Sequence, residues 1–227
     1  MEVLLNDSTI ARSSRVLLVT ASPRSESHSV HLAETFLDAY CGALPEVTVD
    51  RLNTFTDLPA FGAHHVSAKM AVIARQPVPE DASRNWADVL AIADRVRAAD
   101  TVVFAVPMWN GGIPWSLKLF IDVVTQPGVA FSFDPATGYT GLLGGRRAVV
   151  AYTSRVYAPG VPTPFGVDHQ STYFDWWLRY CGIDDVHELR LQPTFPGDDF
   201  DGEQARATVR ARDLGLALAA STTAAHR

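Results

Sequence analysis

The sequence predicts an α/β protein: a three-layer sandwich with one five-stranded parallel sheet and helices on both faces. Three observations carry this. Residues 16–20 (VLLVT), 101–106 (TVVFAV) and 148–153 (AVVAYT) are continuous apolar runs, as strands covered on both faces require. Between them lie segments whose apolar residues recur at helical spacing. The 227 residues, 47% hydrophobic and 19% charged, suffice for one sizeable core, and no repeat or composition break marks a second domain.

Residues 1–14 read as a flexible N-terminal extension and 15–227 as a single domain. The first strand, 16–20, runs into a hydroxyl-rich loop, 21–29. Ala33, Phe36, Leu37 and Tyr40 then share a helical face, with Ser27 or Ser29 as N-cap. Residues 47–52 alternate and give the second strand. The stretch 53–83 holds Pro59, Pro77 and Pro79 and is expected to be mostly irregular, with a short helix over 67–74. A connection of that length usually serves function or an interface. Trp86, Val89, Leu90, Ala93 and Val96 mark the next helix. After the strand at 101–106, Pro114 stands where a first-turn proline belongs. Leu117, Phe120, Ile121 and Val124 follow on one face, and Lys118 and Asp122 are spaced to pair on the outside. A strand at 148–153, a helix over 168–180 and a shorter, more polar strand at 186–191 come next; the last suits a sheet edge. A helix over 203–220 closes the chain. Such alternation gives parallel strands joined by right-handed crossovers. Five strands suggest the flavodoxin-like order 2-1-3-4-5.

Charge and motif content exclude several classes. The formal net charge is −6, and the densest basic spot is Arg146–Arg147, so neither nucleic acid nor an anionic membrane surface is an expected partner. No run of about 18 apolar residues exists, and the N-terminus lacks the basic and apolar regions of a signal peptide, so a cytoplasmic protein is expected. Cys41 and Cys181 fit no metal or redox spacing and are expected as small apolar residues near helix ends. His64, His65, His169 and His187 lack ligand spacing, and no metal is expected. The dinucleotide, Walker and nucleophile-elbow patterns are absent.

In a doubly wound sheet, ligands bind outside the carboxyl ends of the strands, where the strand order reverses. That selects the loops 21–29, 107–113 and 153–160. The first carries Ser22, Ser25, Ser27 and Ser29 and no glycine. Hydroxyls and free amides at a helix N-terminus suit a phosphate monoester, or the serines simply cap the helix. The second loop reads PMWNGGIP. Met108 and Trp109 can pack against a ring, Asn110 offers donor and acceptor, and Gly111 and Gly112 permit close approach; a plain strand-to-helix turn is the other reading. The third, TSRVYAPGVPTPFG, can present the amides of Ser154 to Tyr157 to a ring carbonyl, or be a plain loop. Together the three fit a mononucleotide with a phosphate at one end and a flat polar ring at the other. FMN is the best candidate.

At PMWNGGIPWSLKLFID, GVAFSF, GLLGGRRAVV, TSR and CGIDDV the sequence resembles the flavodoxin-like, FMN-dependent NADH:quinone oxidoreductases and azoreductases, over roughly residues 15–191. The resemblance implies non-covalent FMN. Ser22, Ser27, His28 and Ser29 match the phosphate loop. Met108, Trp109, Asn110 and Gly111 match the flavin-edge segment, and Ser154, Arg155, Val156 and Tyr157 the third flavin-contacting segment. Phe131 and Phe133 follow the family's aromatic pair, and with Trp177 they are the expected acceptor pocket. The resemblance also implies a homodimer with active sites at its interface, built partly by residues 53–83. Three departures stand out. Gly111 replaces a common aromatic residue, Val156–Tyr157 replaces a common Gly-Gly, and Ala158 and Pro159 stand where a histidine often follows. The implied function is ping-pong transfer of a hydride from NADH or NADPH to a planar aromatic acceptor: a quinone, an azo compound or an aromatic biosynthetic intermediate. No side-chain acid or base is assigned. Two other readings remain on the same scaffold: a single-electron carrier serving a protein partner, and a flavin-free binding protein.

Overall fold

The computed structural model describes residues 14–195 and 199–225; all of the expected N-terminal extension but Ser14 lies outside them. In chain order the elements are β1 (Arg15–Thr20), α1 (His28–Ala43), β2 (Thr48–Asn53), α2 (Ala63–Ile73), α3 (Glu80–Ala98), β3 (Thr101–Pro107), α4 (Trp115–Val124), β4 (Phe131–Asp134), β5 (Gly138–Gly141), β6 (Arg147–Thr153), α5 (Ser171–Tyr180), β7 (Asp185–Leu191) and α6 (Phe200–Ala225). A five-stranded sheet runs β2-β1-β3-β6-β7, every pair parallel. Its members are the five strands expected from sequence, and their order becomes 2-1-3-6-7 because two further strands intervene in the chain. These are β4 and β5, a separate antiparallel hairpin. Hydrophobic periodicity missed it because both strands are four residues long and mostly exposed.

The continuous apolar runs are explained by burial on both faces. Leu17, Val19, Phe104 and Val150 point to the side covered by α3, α4 and α5. Val16, Leu18, Val103 and Val149 point to the side covered by α1 and α6. The helices α1 and α6 approach closely at Gly215, where an added Cβ would lie 2.6 Å from the Phe36 carbonyl oxygen.

Element ends differ from expectation by identifiable local chemistry. The helix α2 begins at Ala63, a turn before residue 67. Pro114 is the N-cap of α4, not its first-turn residue. The helix α5 starts at Ser171, because Asp168 accepts hydrogen bonds from the Gln170 and Ser171 amides (3.0 and 2.8 Å) ahead of the first turn. Ser27 is the N-cap of α1. The Lys118–Asp122 pair forms on α4. Both cysteines are free, Cys181 buried at the end of α5 and Cys41 half-buried in the last turn of α1.

Trp177 belongs to the core, which corrects its placement in the acceptor pocket. It is 1% exposed, and its ring meets Phe104, Phe120 and Phe174 at centroid distances of 6.3, 6.1 and 5.4 Å. Its indole N–H donates to the Thr125 hydroxyl at 2.9 Å. Phe174, Trp177 and Leu178 form the inward stripe of α5, whereas Trp176 faces out. Trp177→Ala should therefore lower the unfolding free energy by about 3–5 kcal/mol in a denaturant titration, and Trp177→Phe by clearly less.

Candidate functional site

The strands β1, β3 and β6 end side by side. Thr20 lies beside Ala105, and Pro107 beside Thr153. Parallel crossovers bring all three following loops to this edge. Between them is a cleft of about 270 Å³, walled by Ser22 and Arg24 from the first loop, Met108 and Trp109 from the second, and Ser154 and Arg155 from the third. A larger groove, about 490 Å³, runs along α3 by the amino ends of β1 and β2. It contains the Asp50–Arg95 ion pair and meets none of the three loops. The smaller cleft is the better site, because three βα loops converge on it and the first of them leads into the N-terminus of α1.

In the first loop, Ser27 makes no side-chain cap hydrogen bond, although it is the N-cap of α1. The amides of the first turn are thus left for another acceptor at the positive end of the helix. The buried Ser27 and Ser29 hydroxyls lie 3.1 Å apart. Ser22 is buried too, and its hydroxyl accepts from the Arg24 amide at 3.4 Å. His28 differs from expectation. Its ring packs edge-on against Phe200 of α6, with centroids 5.5 Å apart, so its imidazole is turned from the cleft and its amide remains at the loop. Burial, then the charges of Arg24 and His31, hold its pKa below the ordinary histidine value, so the ring is neutral at neutral pH.

The second loop turns tightly. Asn110 and Gly111 have φ of 51° and 83°, and Trp109 and Gly112 exchange hydrogen bonds of 2.9 and 3.0 Å around them. This is the two-residue Asn-Gly turn that needs left-handed backbone at both positions, which explains glycine at 111. His169 fastens the turn by donating its amide to the Gly111 carbonyl at 2.9 Å. Trp109, 36% exposed, is braced by Phe55 at 5.9 Å, and Phe55 in turn meets Trp115 edge-on at 5.4 Å. Met108 donates its amide to the Thr153 carbonyl at 2.7 Å, which ties the second loop to the third.

The third loop is closed by the Ser154 hydroxyl, which donates to the Tyr157 carbonyl. The Ser154 and Arg155 carbonyls accept from the amides of Thr194 and Phe195 at 2.7 and 2.8 Å. Val156 is exposed. Tyr157 lies against Gly166, where an added Cβ would be 3.4 Å from the Tyr157 Cβ. Its phenol pKa is raised by burial and by the nearby Asp168 carboxylate. Tyr157 is thus directed along residues 166–168 and is no part of the cleft wall. Among the described non-glycine residues only Arg75 and Asn110 have positive φ, so Val156 and Tyr157 occupy the usual Gly-Gly positions without left-handed backbone.

Phe131 and Phe133 do not reach this chain's own cleft. The helix α4 carries the chain back to the amino ends of the strands, and the hairpin springs from there before β6 begins. Phe131 meets Tyr139 and Tyr180 at 5.5 Å each, and the exposed Phe133 meets Tyr139 at 4.9 Å.

Sequence reasoning missed Gln170. Its side chain is fully buried where β3 and β6 separate. The amide nitrogen donates to the Val106 and Thr153 carbonyls (2.8 and 3.4 Å), and the amide oxygen accepts from Gln192 at 3.1 Å. Beside it, Arg190 lies over the Tyr152 ring at 4.8 Å and bonds Glu188 at 2.7 Å. The buried Tyr152 hydroxyl donates to Asp175 at 2.8 Å. Burial raises the Asp175 pKa; the Tyr152 hydrogen bond opposes this, and the neighbouring Glu188 carboxylate adds to it. No signal in the local pattern marks Gln170, which stands in a polar stretch before a helix.

The chain matches the flavodoxin-like fold family over residues 14–213. It is 43% identical over 187 residues to an FMN-dependent NADH:quinone oxidoreductase of Ruegeria pomeroyi, covering 82% of this chain and 92% of the relative. Another from Desulfotalea psychrophila is 33% identical over 206 residues, covering 90% and 96%. An azoreductase structure from Bacillus anthracis has the same fold, with a TM-score of 0.80 at 24% identity over 89% of this chain and 99% of that one. So does an FMN-dependent NADH-azoreductase of that species in complex with FMN, with a TM-score of 0.79 at 23% identity over 91% and 99%. This chain therefore belongs to the FMN-dependent NADH:quinone oxidoreductase family of flavodoxin-like proteins. Among the described residues, no helix is long and apolar enough to cross a membrane.

Gln170→Leu removes the side-chain hydrogen bonds to the Val106 and Thr153 carbonyls and leaves the Gln192 amide without its partner, and should lower stability by about 1–3 kcal/mol in urea unfolding. Asp175→Asn keeps an acceptor for Tyr152 and removes the charge. A carboxyl whose folded pKa is raised holds its proton better in the fold, so it loses stability as pH rises above its unfolded value. The melting temperature of Asp175→Asn should accordingly gain on the wild type between about pH 4 and pH 7.

Proposed function

We propose that this chain binds FMN at the cleft and passes a hydride from NADH to a planar aromatic acceptor, a quinone or an azo compound. The observation that carries the reading is the buried Ser27–Ser29 hydroxyl pair at a helix N-terminus without a side-chain cap, at the end of the loop whose Ser22 and Arg24 wall the cleft opposite Ser154 and Arg155. The residues present fit FMN. Ser22, Ser27, Ser29 and the first-turn amides of α1, that of His28 included, would hold its phosphate. Met108, Trp109, Asn110 and Gly111 would flank its ring, and the backbone of Ser154, Arg155, Val156 and Tyr157 would meet the ring's polar edge.

FMN, when bound, supplies the hydride chemistry; the protein binds, orients and tunes. The α1 dipole and hydroxyls offset the phosphate charge. Trp109, braced by Phe55, shields one side of the cleft from water. Backbone amides of the third loop are suited to stabilise negative charge that develops during reduction. The three loops enclose one cleft, so donor and acceptor would occupy it in turn, a ping-pong order. The 43% identical relative supports NADH as the donor.

The same reading makes the protein a homodimer. Trp115, Phe133, Tyr139 and Trp176 are each more than half exposed, a large aromatic area for an isolated chain. Phe131 and Phe133, remote from their own cleft, would then serve the acceptor pocket of the partner subunit. Two free thiols suit a cytoplasmic setting.

Mixed anaerobically with NADH, the FMN-loaded protein should lose its yellow colour and regain it on addition of menadione. If neither NADH nor NADPH bleaches it, hydride transfer is wrong. The double variant Ser27→Ala, Ser29→Ala should weaken FMN binding at least about tenfold in a fluorescence titration, since hydrogen bonds to a charged group contribute about 1.5–3 kcal/mol each.

A further inference from the structure

We propose that the cleft prefers acceptors that carry a negative charge, a planar aromatic ring bearing a carboxylate or sulfonate, and that Arg155 is the residue that recognises it. This rests on the reading of the cleft as the hydride-transfer site and names its substrate class.

The first observation is the sign of the cleft. The chain as a whole carries −6, yet the cleft wall holds two guanidinium groups, Arg24 and Arg155, and no carboxylate. Glu26, the acidic residue of the first loop, lines the adjoining groove along α1 with Ser27, His28 and His31, at the phosphate end and away from Arg155. Several arginines elsewhere are matched by carboxylates, Arg95 with Asp50, Arg147 with Asp185 and Arg190 with Glu188, while Arg146 is held by main-chain carbonyls. Among the described residues neither Arg24 nor Arg155 has an acidic partner. A concave site lined by one sign of charge concentrates ligands of the opposite sign.

The second observation separates the two cations. Arg24 belongs to the serine loop three residues before the α1 N-cap, where the phosphate of bound FMN would supply its counter-charge. Arg155 stands on the opposite wall, in the loop assigned to the ring. It is also held in place. Its carbonyl accepts from Phe195 at 2.8 Å, and its guanidinium lies over the Phe195 ring at 5.2 Å from the centroid. A cation held by an aromatic face is ordered before the ligand arrives, which reduces the entropy lost on binding. Trp109 offers the flat apolar surface across the cleft, and Arg155 the charge at its edge. An acceptor with both a ring and an acidic substituent satisfies the two together.

The experiment compares a naphthoquinone sulfonate with menadione, its uncharged counterpart, on FMN-loaded wild type, Arg155→Gln and Arg155→Lys. The ratio of kcat/KM for the sulfonate to that for menadione should fall about tenfold in Arg155→Gln, mainly through KM, and recover partly in Arg155→Lys. Added salt should slow the sulfonate and leave menadione unchanged in the wild type. An unchanged ratio overturns the proposal. So does an equal loss with both acceptors, whether it comes with a raised KM for NADH, which makes Arg155 a dinucleotide residue, or with a shifted flavin potential, which makes it a cofactor residue. Failure of both NADH and NADPH to bleach the FMN-loaded wild type would refute hydride transfer itself. The charge preference is then decided by tryptophan quenching with naphthalenesulfonate, which is not reduced: weaker binding to Arg155→Gln supports it, and equal binding overturns it.

Discussion

Burial of the parallel sheet on both faces is the constraint from which the site follows. Residues 102–106 of β3 are fully buried, with α3, α4 and α5 against one face and α1 and α6 against the other. No residue within such a strand can meet a ligand. Chemistry is left to the strand ends, and parallel crossovers gather the βα loops at one edge. At that edge the ladder runs to its last residues, since Pro107 pairs with Thr153 and the Met108 amide donates to the Thr153 carbonyl. Gln170 adds a side-chain donor there, spanning the Val106 and Thr153 carbonyls from the N-cap of α5. The buried glutamine thus ties α5 to the strand ends that carry the second and third loops.

The sheet was legible because strands buried on both faces leave a continuous apolar trace, and β1, β3 and β6 all do. The hairpin β4–β5 was not, since its aromatic side chains pack on one another and on Tyr180 and its short strands show no periodicity of burial. Aromatic type did not separate core from surface. Trp176 and Trp177 are adjacent and alike in sequence, yet helical phase sends one out and the other in. That phase could have been read from Phe174 and Leu178. Gln170 could not, because its partners are main-chain carbonyls of residues 64 and 17 positions away. His28 shows the same limit: its neighbour Phe200 lies on the last helix, far along the chain.

The departures from the family pattern have local causes in this chain. Glycine at 111 follows from the left-handed turn it forms with Asn110. Val156 and Tyr157 are compatible with their loop because positive φ falls instead on Gly160 and Gly166. Gly166 also gives Tyr157 room to lie back toward Asp168. Asp168 thereby joins two tasks, since the same carboxylate accepts the leading amides of α5 and the Ser171 hydroxyl. The third loop and α5 are consequently coupled through one side chain.

Polarity is distributed across the cleft in a way that separates anchoring from selection. One end offers hydroxyls, free amides and a helix dipole, a set that recognises a compact dianion whatever is attached to it. The other end offers Trp109, continuous through Phe55 with the exposed Trp115, and a guanidinium fixed on Phe195. A ring stacked there meets apolar surface along its face and charge only at its edge. Stacking alone discriminates poorly among flat molecules of similar size, because its strength follows area. A single oriented cation discriminates strongly, because an uncharged analogue leaves its attraction unused. With the cofactor anchored at the serine end and the acceptor selected at the Arg155 end, as proposed, the two could change independently, and one fold could keep its cofactor while its acceptors diverge.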